Sequence, residues 1–347
     1  MTTGGHTLVV RLDSAGDVLL AGPAIRAAAA ASARTTLLCG PQGEAAARLL
    51  PGLDDILVYD APWVGFDPPP ARRTDINALL GTLTARRFDR ALILTSYHQS
   101  PLPAALLLRM AQVPWIAADS EDYPGSLLDL RHHRAPDRHE ARAALDLAEA
   151  AGMRLPPGDT GGLRVSCASA APHLTGTDPY LVVHPGAAVP ARAWSAHRAT
   201  RAVAALAAAG HRVVVTGGTA ERELTRTVAG RHALDLGGRT ALPELAAVLT
   251  AASTVVTGNT GPAHLAAAVA TPVVCLFAPV VPADRWAPYQ VPHVLLGHQD
   301  APCAGSRART CPVPGHPCLD AVTDTELLTA VDTLLSRSRG SDQEVTV

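Results

Sequence analysis

Residues 254–265 combine residue types that bind an anion through backbone donors. They read TVVTGNTGPAHL, an apolar run followed by small residues and then a proline. Proline suits a helix start, where a backbone N–H has no partner. The loop therefore presents its donors beside the positive end of a helix dipole, and His264 adds another donor one turn later. The predicted phosphate-binding residues are Asn259, Thr260, Gly261, Pro262 and His264.

This loop lies inside a unit of strand, loop, helix and strand. The helix is predicted to run to about Ala270, and an apolar strand follows at residues 272–277. Ligands of such units bind at the carboxyl ends of the strands, where the loop lies. The alternative is an ordinary tight turn, because glycine and proline commonly punctuate turns.

A second strand-to-helix loop, at residues 9–18, carries two carboxylates, Asp13 and Asp17. A carboxylate fixed beside a cleft can take a proton from an attacking hydroxyl, so Asp17 is the candidate general base. Aspartate is also a preferred helix N-cap, and Asp17 stands directly before an apolar helical run. The two interpretations are compatible, and both stay open at this point.

Polar residues also follow a later strand of the first half. Tyr97, His98 and Gln99 come after the apolar run at residues 91–95. Their hydroxyl, imidazole and amide groups suit a polyhydroxylated ligand. Together with Asp13, they are the predicted acceptor-binding residues.

The composition excludes several classes of protein. The 347 residues carry a net charge of −2, which offers no strong field for nucleic acid or anionic membrane. Every basic residue is arginine, so a Schiff-base lysine is impossible. Six cysteines in a chain of this length do not form a disulfide framework. Because neither a signal peptide nor a long apolar run is visible, we expect a cytoplasmic protein without a transmembrane segment.

Apolar strand-like runs alternate with helical stretches along the whole chain. Continuous apolar strands are typical of parallel sheets that are buried on both faces. Two successive sets of such units predict an α/β protein with two doubly wound Rossmann-like domains. The boundary is expected within residues 155–179, which gives domains at 1–165 and 166–335. A helix at 324–336 and a polar tail at 336–347 complete the prediction.

These residues resemble glycosyltransferase family 9, the lipopolysaccharide heptosyltransferase family of the two-domain GT-B type. The resemblance covers about residues 8–335 and is strongest in a few motifs. They are GDV at 16–18, HPGA at 184–187, RAW at 192–194, TGG at 216–218, LGGRT at 236–240 and NTGPAH at 259–264. The last motif resembles the family's Asp-Thr-Gly-x-x-His element, which holds the donor pyrophosphate.

The resemblance implies an inverting, metal-independent transfer of heptose or a related sugar, from a donor that is expected to be ADP-linked. The two sheets would face a central cleft, with the acceptor on the N-terminal domain and the donor on the C-terminal domain. Asp17 would be the base, and no cofactor or metal would be needed. The implied donor-binding residues beyond the 259–264 loop are Gly186, Arg192, Thr216, Gly217 and Gly218. The last helix could pack back on the N-terminal domain.

Two positions depart from the family pattern. Arg192 replaces a lysine, which keeps the charge and adds a planar fork. Asn259 replaces an aspartate, which removes a negative charge beside the phosphates. These departures leave open a non-catalytic nucleotide-sugar binding protein. A nucleotide-sugar epimerase of the same architecture is a second alternative, because the fold does not fix the chemistry. The acceptor is open between a cell-envelope glycolipid, reached by peripheral membrane contact, and a small metabolite.

Two further clusters carry weaker signals. Cys303, Cys311, His316 and Cys318 could bind zinc, but the usual Cys-x₂₋₄-Cys spacing is absent, so a loop fixed by proline and local packing is favoured. Residues 131–134, Arg-His-His-Arg, could contact an anionic acceptor. A solvated charge run is the favoured interpretation of that segment.

Overall fold

The computed structural model describes residues 4–96, 98–166 and 171–343. The chain divides into two compact units, Met1–Ser166 and Cys167–Val347. None of the helices in the described part of the chain combines the length and hydrophobicity needed to cross a bilayer. Each unit is described separately below.

The first unit alternates six strands with six helices. Its strands are β1 (His6–Arg11), β2 (Arg34–Cys39), β3 (Asp55–Val58), β4 (Arg90–Ile93), β5 (Ile116–Asp119) and β6 (Leu130–His132). Its helices are α1 (Ala15–Leu20), α2 (Gly22–Ala30), α3 (Glu44–Ala47), α4 (Arg73–Arg86), α5 (Leu102–Met110) and α6 (Glu140–Ala150).

All strand pairs of this sheet are parallel, in the order β3-β2-β1-β4-β5-β6. Val9 of β1 pairs with Leu37 of β2 on one side and with Leu92 of β4 on the other. These three side chains are completely buried, as expected for a sheet covered by helices on both faces. The strand order reverses between β1 and β4, and that switch point is where such sheets bind ligands.

The second unit has the same kind of architecture. Its strands are β7 (Leu181–His184), β8 (Val213–Val215), β9 (Leu234–Asp235), β10 (Thr254–Gly258), β11 (Val273–Leu276) and β12 (His293–Leu296). Its helices are α7 (Pro172–Thr175), α8 (Ala196–Ala208), α9 (Arg222–Ala229), α10 (Leu242–Thr250), α11 (Gly261–Ala268), α12 (Ala283–Trp286), α13 (Pro317–Asp320) and α14 (Asp324–Gln343).

The second sheet repeats the strand order of the first. Its order is β12-β11-β10-β7-β8-β9, again with parallel pairs only. Thr257 of β10 pairs with His184 of β7, so the ends of these two strands lie side by side. The switch point therefore lies between β7 and β10, and the loops after His184 and Gly258 both start there.

The predicted fold class is confirmed by these two parallel six-stranded sheets with flanking helices. The sequence prediction missed β6, β12 and α6. The apolar helical run after Asp17 is divided into two helices, α1 and α2, because Pro23 at the start of α2 cannot continue the hydrogen-bond ladder. At the other end, α14 extends to Gln343, beyond its predicted end at residue 336, and the polar tail at 336–347 stays a prediction.

The apolar face of α14 belongs to the core of the second unit. Leu327, Val331 and Leu334 are fully buried there, together with residues of β10 and β11. Their helical spacing is the pattern that predicted a buried face. Packing of this helix on the first unit stays a prediction.

A buried ion pair fastens the end of the first unit to α2. Arg26 donates from Nε and Nη2 to the Asp159 carboxylate at 2.7 and 3.0 Å, and from Nη2 to the Gly162 carbonyl at 2.8 Å. The side chains of Arg26 and Asp159 are 8% and 6% exposed. Hydrogen bonding to Arg26 is the main reason that the pKa of Asp159 falls to about 2.

We expect Asp159→Asn to lower the free energy of unfolding by about 2–4 kcal/mol at neutral pH. The folded pKa of Asp159 lies below its unfolded value, so the stabilisation is complete above about pH 4 and is lost as the pH falls toward about 2. Chemical denaturation of both proteins across this range measures the difference. Glu44→Gln, which breaks the exposed pair between Glu44 and Arg48, is the control and should cost well under ~1 kcal/mol. A difference that stays constant from pH 7 to pH 2 would contradict the assignment.

Candidate functional site

The loop after β10 forms a helix start, as the sequence predicted. Thr260 is the N-cap of α11, with extended backbone (φ −136°, ψ 178°), and its N–H donates to the Gly258 carbonyl at 2.8 Å. Pro262 is the second helical residue, and His264, 5% exposed, lies one turn in. The helix ends at Ala268, earlier than predicted, and Ala270 adopts a left-handed conformation (φ +61°).

The Asn259 side chain has a structural task in this loop. Its Nδ2 donates to the Ala278 carbonyl at 3.2 Å, and its Oδ1 accepts from the Ala278 N–H at 3.1 Å. Asn259 is 3% exposed. The amide thus ties the loop after β10 to the loop after β11, because it offers one donor and one acceptor to the two backbone polar groups of the same residue.

Arg192 lies beside the end of β10. It is the last residue of a 3₁₀ turn, Pro190–Arg192, that follows β7. A Cβ atom on Gly258 would lie 3.0 Å from the Arg192 carbonyl oxygen, so the backbones approach closely and position 258 favours glycine. The fold therefore places the turn that carries Arg192 in contact with the predicted phosphate-binding loop. Arg192 is the arginine that the sequence predicted for the donor site.

Two glycine loops, after β7 and β8, surround a carboxylate that the sequence analysis missed. Glu221 Oε2 accepts from the Gly218 N–H at 2.7 Å. A Cβ atom on Gly186 would collide with the same carboxylate, and one on Gly217 would lie 3.2 Å from it. At position 217 the closest atom to such a Cβ would be Thr225 Cγ2, at 2.6 Å, so glycine is favoured there by Thr225 as well as by Glu221. A carboxylate three residues after a loop glycine, at a helix start, is the signal that could have identified it.

Thr216 lies beneath these loops and is fully buried. Its hydroxyl is 3.0 Å from Nδ1 of His184, whose Nε2 lies 3.8 Å from Glu221 Oε2. Burial lowers the pKa of His184, although Glu221 opposes that effect. Thr216 thus supports the loop through His184, and of the nearby glycines Gly186 and Gly217 are buried whereas Gly218 is exposed.

In the first unit, Asp17 is held by two neighbours. Arg11 Nη2 donates to Asp17 Oδ1 at 2.9 Å, and Ser14 Oγ donates to Asp17 Oδ2 at 2.7 Å. The Asp17 side chain is 21% exposed, whereas that of Arg11 is 4% exposed. The N-cap of α1 is Ser14, and Asp17 lies within the first turn. The capping interpretation of Asp17 is therefore wrong, because the helix begins two residues before it.

Asp13 is the more buried of the two carboxylates. Arg11 Nε lies 3.0 Å from Asp13 Oδ2, and Gln99 Nε2 donates to Asp13 Oδ1. Burial raises the pKa of Asp13 despite the opposing charge of Arg11. Arg11 Nη2 also donates to Ser96 Oγ at 2.9 Å, and Gln99 Oε1 accepts from the Ser96 N–H. The loops after β1 and β4 are thus joined at the switch point.

A third part of this network was missed by the sequence analysis. Arg134 donates to Glu140 Oε1 at 2.7 Å, to the Thr95 carbonyl at 2.8 Å and to Asp119 Oδ2 at 3.2 Å. Asp119 also pairs with Nδ1 of His132. Burial raises the pKa of Glu140, and Arg134 opposes that shift. The Arg134 side chain is only 8% exposed, so the solvated-run interpretation is wrong for this residue.

Of the other predicted acceptor-binding residues, the structure describes His98 and Gln99 but not Tyr97. His98 is exposed in the loop after β4, near Gln99 in sequence. Tyr97 lies outside the described residues. Asp13 and Gln99 are in direct contact, and Asp17 is joined to Asp13 through Arg11.

Within the described ranges, no group of three or more His, Cys, Asp or Glu side chains is arranged to hold a metal ion. The described part of the cysteine-containing segment therefore offers no such group for the alternative of a zinc site. Cys303 and Cys318 are buried in the core of the second unit, and burial raises the pKa of Cys318 to about 11. Nε2 of His316 lies 3.1 Å from the Ala191 carbonyl oxygen.

Two parallel α/β units, each with polar and glycine-containing loops at its switch point, place the chain in the class of two-domain Rossmann-like proteins. The family model of glycosyltransferase family 9 (heptosyltransferase) matches residues 76–316. The chain belongs to this family, as its motifs predicted.

Known relatives agree with this assignment. Lipopolysaccharide heptosyltransferase 3 of Escherichia coli K12 is 32% identical over 106 residues, which are 29% of this chain. The match spans only 31% of that protein's length.

Solved structures share the fold over nearly the whole chain. A family 9 glycosyltransferase of Veillonella parvula superposes with a TM-score of 0.77 at 20% identity, covering 97% of this chain and 99% of that one. The ADP-heptose heptosyltransferase II of E. coli gives 0.72 at 18% identity, covering 96% and 99%. An E. coli heptosyltransferase solved with ADP gives 0.66 at 18% identity, covering 94% and 97%. The GT-B fold prediction is confirmed by these matches.

Proposed function

We propose that this protein is an inverting glycosyltransferase that moves heptose or a related sugar from a nucleoside-diphosphate donor to an acceptor hydroxyl. The observation that carries the proposal is the close approach of the Arg192 turn to Gly258, beside the start of α11. A helix start and a guanidinium together form a strong site for a diphosphate. Family membership supports the same reaction class.

The donor site lies entirely on the second unit. The N–H of Gly261, with His264 and Arg192, binds the diphosphate. Thr260, whose own N–H donates to the Gly258 carbonyl, sets the helix start, and the loops that carry Gly186, Gly217 and Gly218 lie alongside. The solved relatives with ADP and with an ADP-linked fluoroheptose support an ADP-linked donor. The neutral side chain of Asn259 leaves the phosphates without a carboxylate at that position.

The acceptor site lies on the first unit, at the switch point between β1 and β4. Asp17, more exposed than Asp13, takes the proton from the acceptor hydroxyl. The acceptor oxygen then forms its bond to the anomeric carbon, and the bond from that carbon to the phosphate oxygen breaks. The electron pair leaves with the diphosphate, whose charge Arg192, His264 and the helix start stabilise. No step of this scheme requires a divalent metal.

Asp13 and Gln99 hold the acceptor beside Asp17 in this proposal. The acceptor is a cell-envelope glycolipid or a small hydroxylated metabolite, and the transfer takes place in the cytoplasm. An epimerase of the same architecture would instead convert the donor in the absence of any acceptor. A binding protein would hold the donor without turnover. Both alternatives are distinguished by following the donor with and without acceptor.

The proposal predicts selective stabilisation by one nucleoside diphosphate. Thermal unfolding with ADP, GDP, UDP and dTDP, each with and without a chelator, measures it. A ligand that binds only the native state at 100 times its Kd adds about 2.7 kcal/mol. We expect ADP to raise the unfolding temperature most, and the chelator to leave that shift unchanged.

AMP is the matched control, because it retains the nucleoside but lacks the second phosphate. Its stabilising effect should be clearly smaller than that of ADP. Equal effects of AMP and ADP would contradict a diphosphate site. A shift that disappears with the chelator would contradict metal-independent binding.

A further inference from the structure

The turn that carries Arg192 is fastened to a distant part of the chain. Ala191, which is 1% exposed, uses both of its backbone polar groups in this attachment. Its N–H donates to the Arg309 carbonyl at 3.0 Å, and its carbonyl oxygen lies 3.1 Å from Nε2 of His316. A carbonyl can only accept, so Nε2 carries the proton and donates. We call residues 305–316 the bracing segment.

The bracing segment is itself attached to the loop after β11. The Gly305 N–H donates to the Pro279 carbonyl and the Arg307 N–H to the Val280 carbonyl, both at 2.8 Å. Directly beyond the segment, Cys318 and Leu319 are buried in the core of the second unit. The segment therefore has a fixed position from which it can hold the Arg192 turn.

The opposite side of the turn is also constrained. The Arg192 N–H donates to the Val189 carbonyl at 2.8 Å, and the Arg192 carbonyl lies against Gly258. His316 has left-handed backbone (φ +47°, ψ 51°), an uncommon conformation for a residue other than glycine. This conformation directs its ring toward Ala191 just before Pro317 begins α13.

From these contacts we infer that His316 is a positioning residue for Arg192. Its Nε2–H fixes the Ala191 carbonyl, and the adjacent Arg192 is thereby held with its guanidinium placed for the leaving diphosphate. The inference rests on the proposed function, since it concerns the same donor site. The inference also gives His316, which lies in the cysteine-containing segment, a role without a metal.

The test compares two amides at position 316. Asparagine tolerates left-handed backbone, so His316→Asn preserves the local conformation, but its shorter side chain does not reach Ala191. His316→Gln places an amide N–H at nearly the reach of Nε2. Titration calorimetry with ADP should show about 3–10-fold weaker binding for His316→Asn and a Kd within about 2-fold of wild type for His316→Gln.

A double-mutant cycle separates positioning from a general structural loss. In an Arg192→Ala background, His316→Asn should weaken ADP binding no further, because the guanidinium that it positions is gone. His293→Asn is the matched control, since His293 also bonds a carbonyl through a ring nitrogen (to Val291, 2.9 Å) but lies at the start of β12. It should leave ADP affinity unchanged.

Wild-type affinity in His316→Asn, alongside a clear loss in Arg192→Ala, would overturn the inference while leaving the proposed function intact. Fully additive losses in the double mutant would also overturn it, because His316 would then act independently of Arg192. Unchanged affinity in Arg192→Ala itself would instead contradict the proposed diphosphate site. The two failures are therefore distinguishable.

Discussion

Asp17→Asn is expected to lower the rate of sugar transfer by about 100-fold or more while leaving donor affinity nearly unchanged. Asparagine has the same size, its Oδ1 can still accept from Arg11, and its Nδ2 can donate to the Ser14 hydroxyl, which can also accept. It cannot take a proton from the acceptor hydroxyl. Steady-state rates with saturating donor, combined with calorimetry for ADP, measure the two quantities separately.

Asp129→Asn is the control for this experiment. Asp129 is also paired with an arginine, Arg109, and accepts from the Ile116 N–H, but it directly precedes the edge strand β6 and so lies at the amino ends of the parallel strands, away from the loop that carries Asp17. It should not change the rate once the protein is folded. A normal rate in Asp17→Asn would mean that Asp17 only positions Arg11, and Asp13 would become the candidate base.

Removing the cationic and imidazole side chains of the donor site should weaken ADP binding strongly. Arg192→Ala and His264→Ala each delete one charge-assisted or polar hydrogen bond to the diphosphate, worth about 1–3 kcal/mol. This corresponds to about a 5–150-fold increase in Kd. Arg192→Ala should also lower the turnover rate, because its charge matters most as the leaving group departs.

Arg231→Ala and His232→Ala are matched controls for these two variants. Both residues are exposed and precede β9, at the edge of the second sheet remote from the donor loops. Calorimetry should detect no change in their affinity for ADP. If Arg192→Ala and His264→Ala also bind ADP normally, the loop at residues 258–261 is a structural turn.

Much of the fold follows from local sequence patterns. Strands such as β1, β7 and β10 are continuous apolar runs, and each ends at a loop with distinct polar or glycine residues. β6 and β12 escaped prediction because they are short edge strands of three and four residues that contain histidine. β6, which reads Leu-Arg-His and is only partly buried, lacks the apolar pattern of the central strands, whereas β12 has an apolar run of only three residues.

The candidate site was predictable only where its residues are close in sequence. Asp13 and Asp17 are visible in one loop, and so are Asn259 and His264. The pairing of Arg134 with Asp119 spans 15 residues, and the contact between His316 and Ala191 spans 125. Such contacts depend on how the strands are ordered in the sheet, which no local pattern records. Arg134 is therefore buried in the fold although it lies in a run of charged residues, a pattern that predicts solvent exposure.

The side-chain amide of Asn259 couples the loop after β10 to the loop after β11. Its amide satisfies both the N–H and the carbonyl of Ala278. The aspartate of the family motif could accept from that N–H, but it would place a second carboxylate oxygen against the carbonyl. An Asn259→Asp variant of this chain would therefore need another donor near the Ala278 carbonyl or a different course of the loop after β11. The residue type at position 259 and the course of the loop after β11 are thus coupled in this chain.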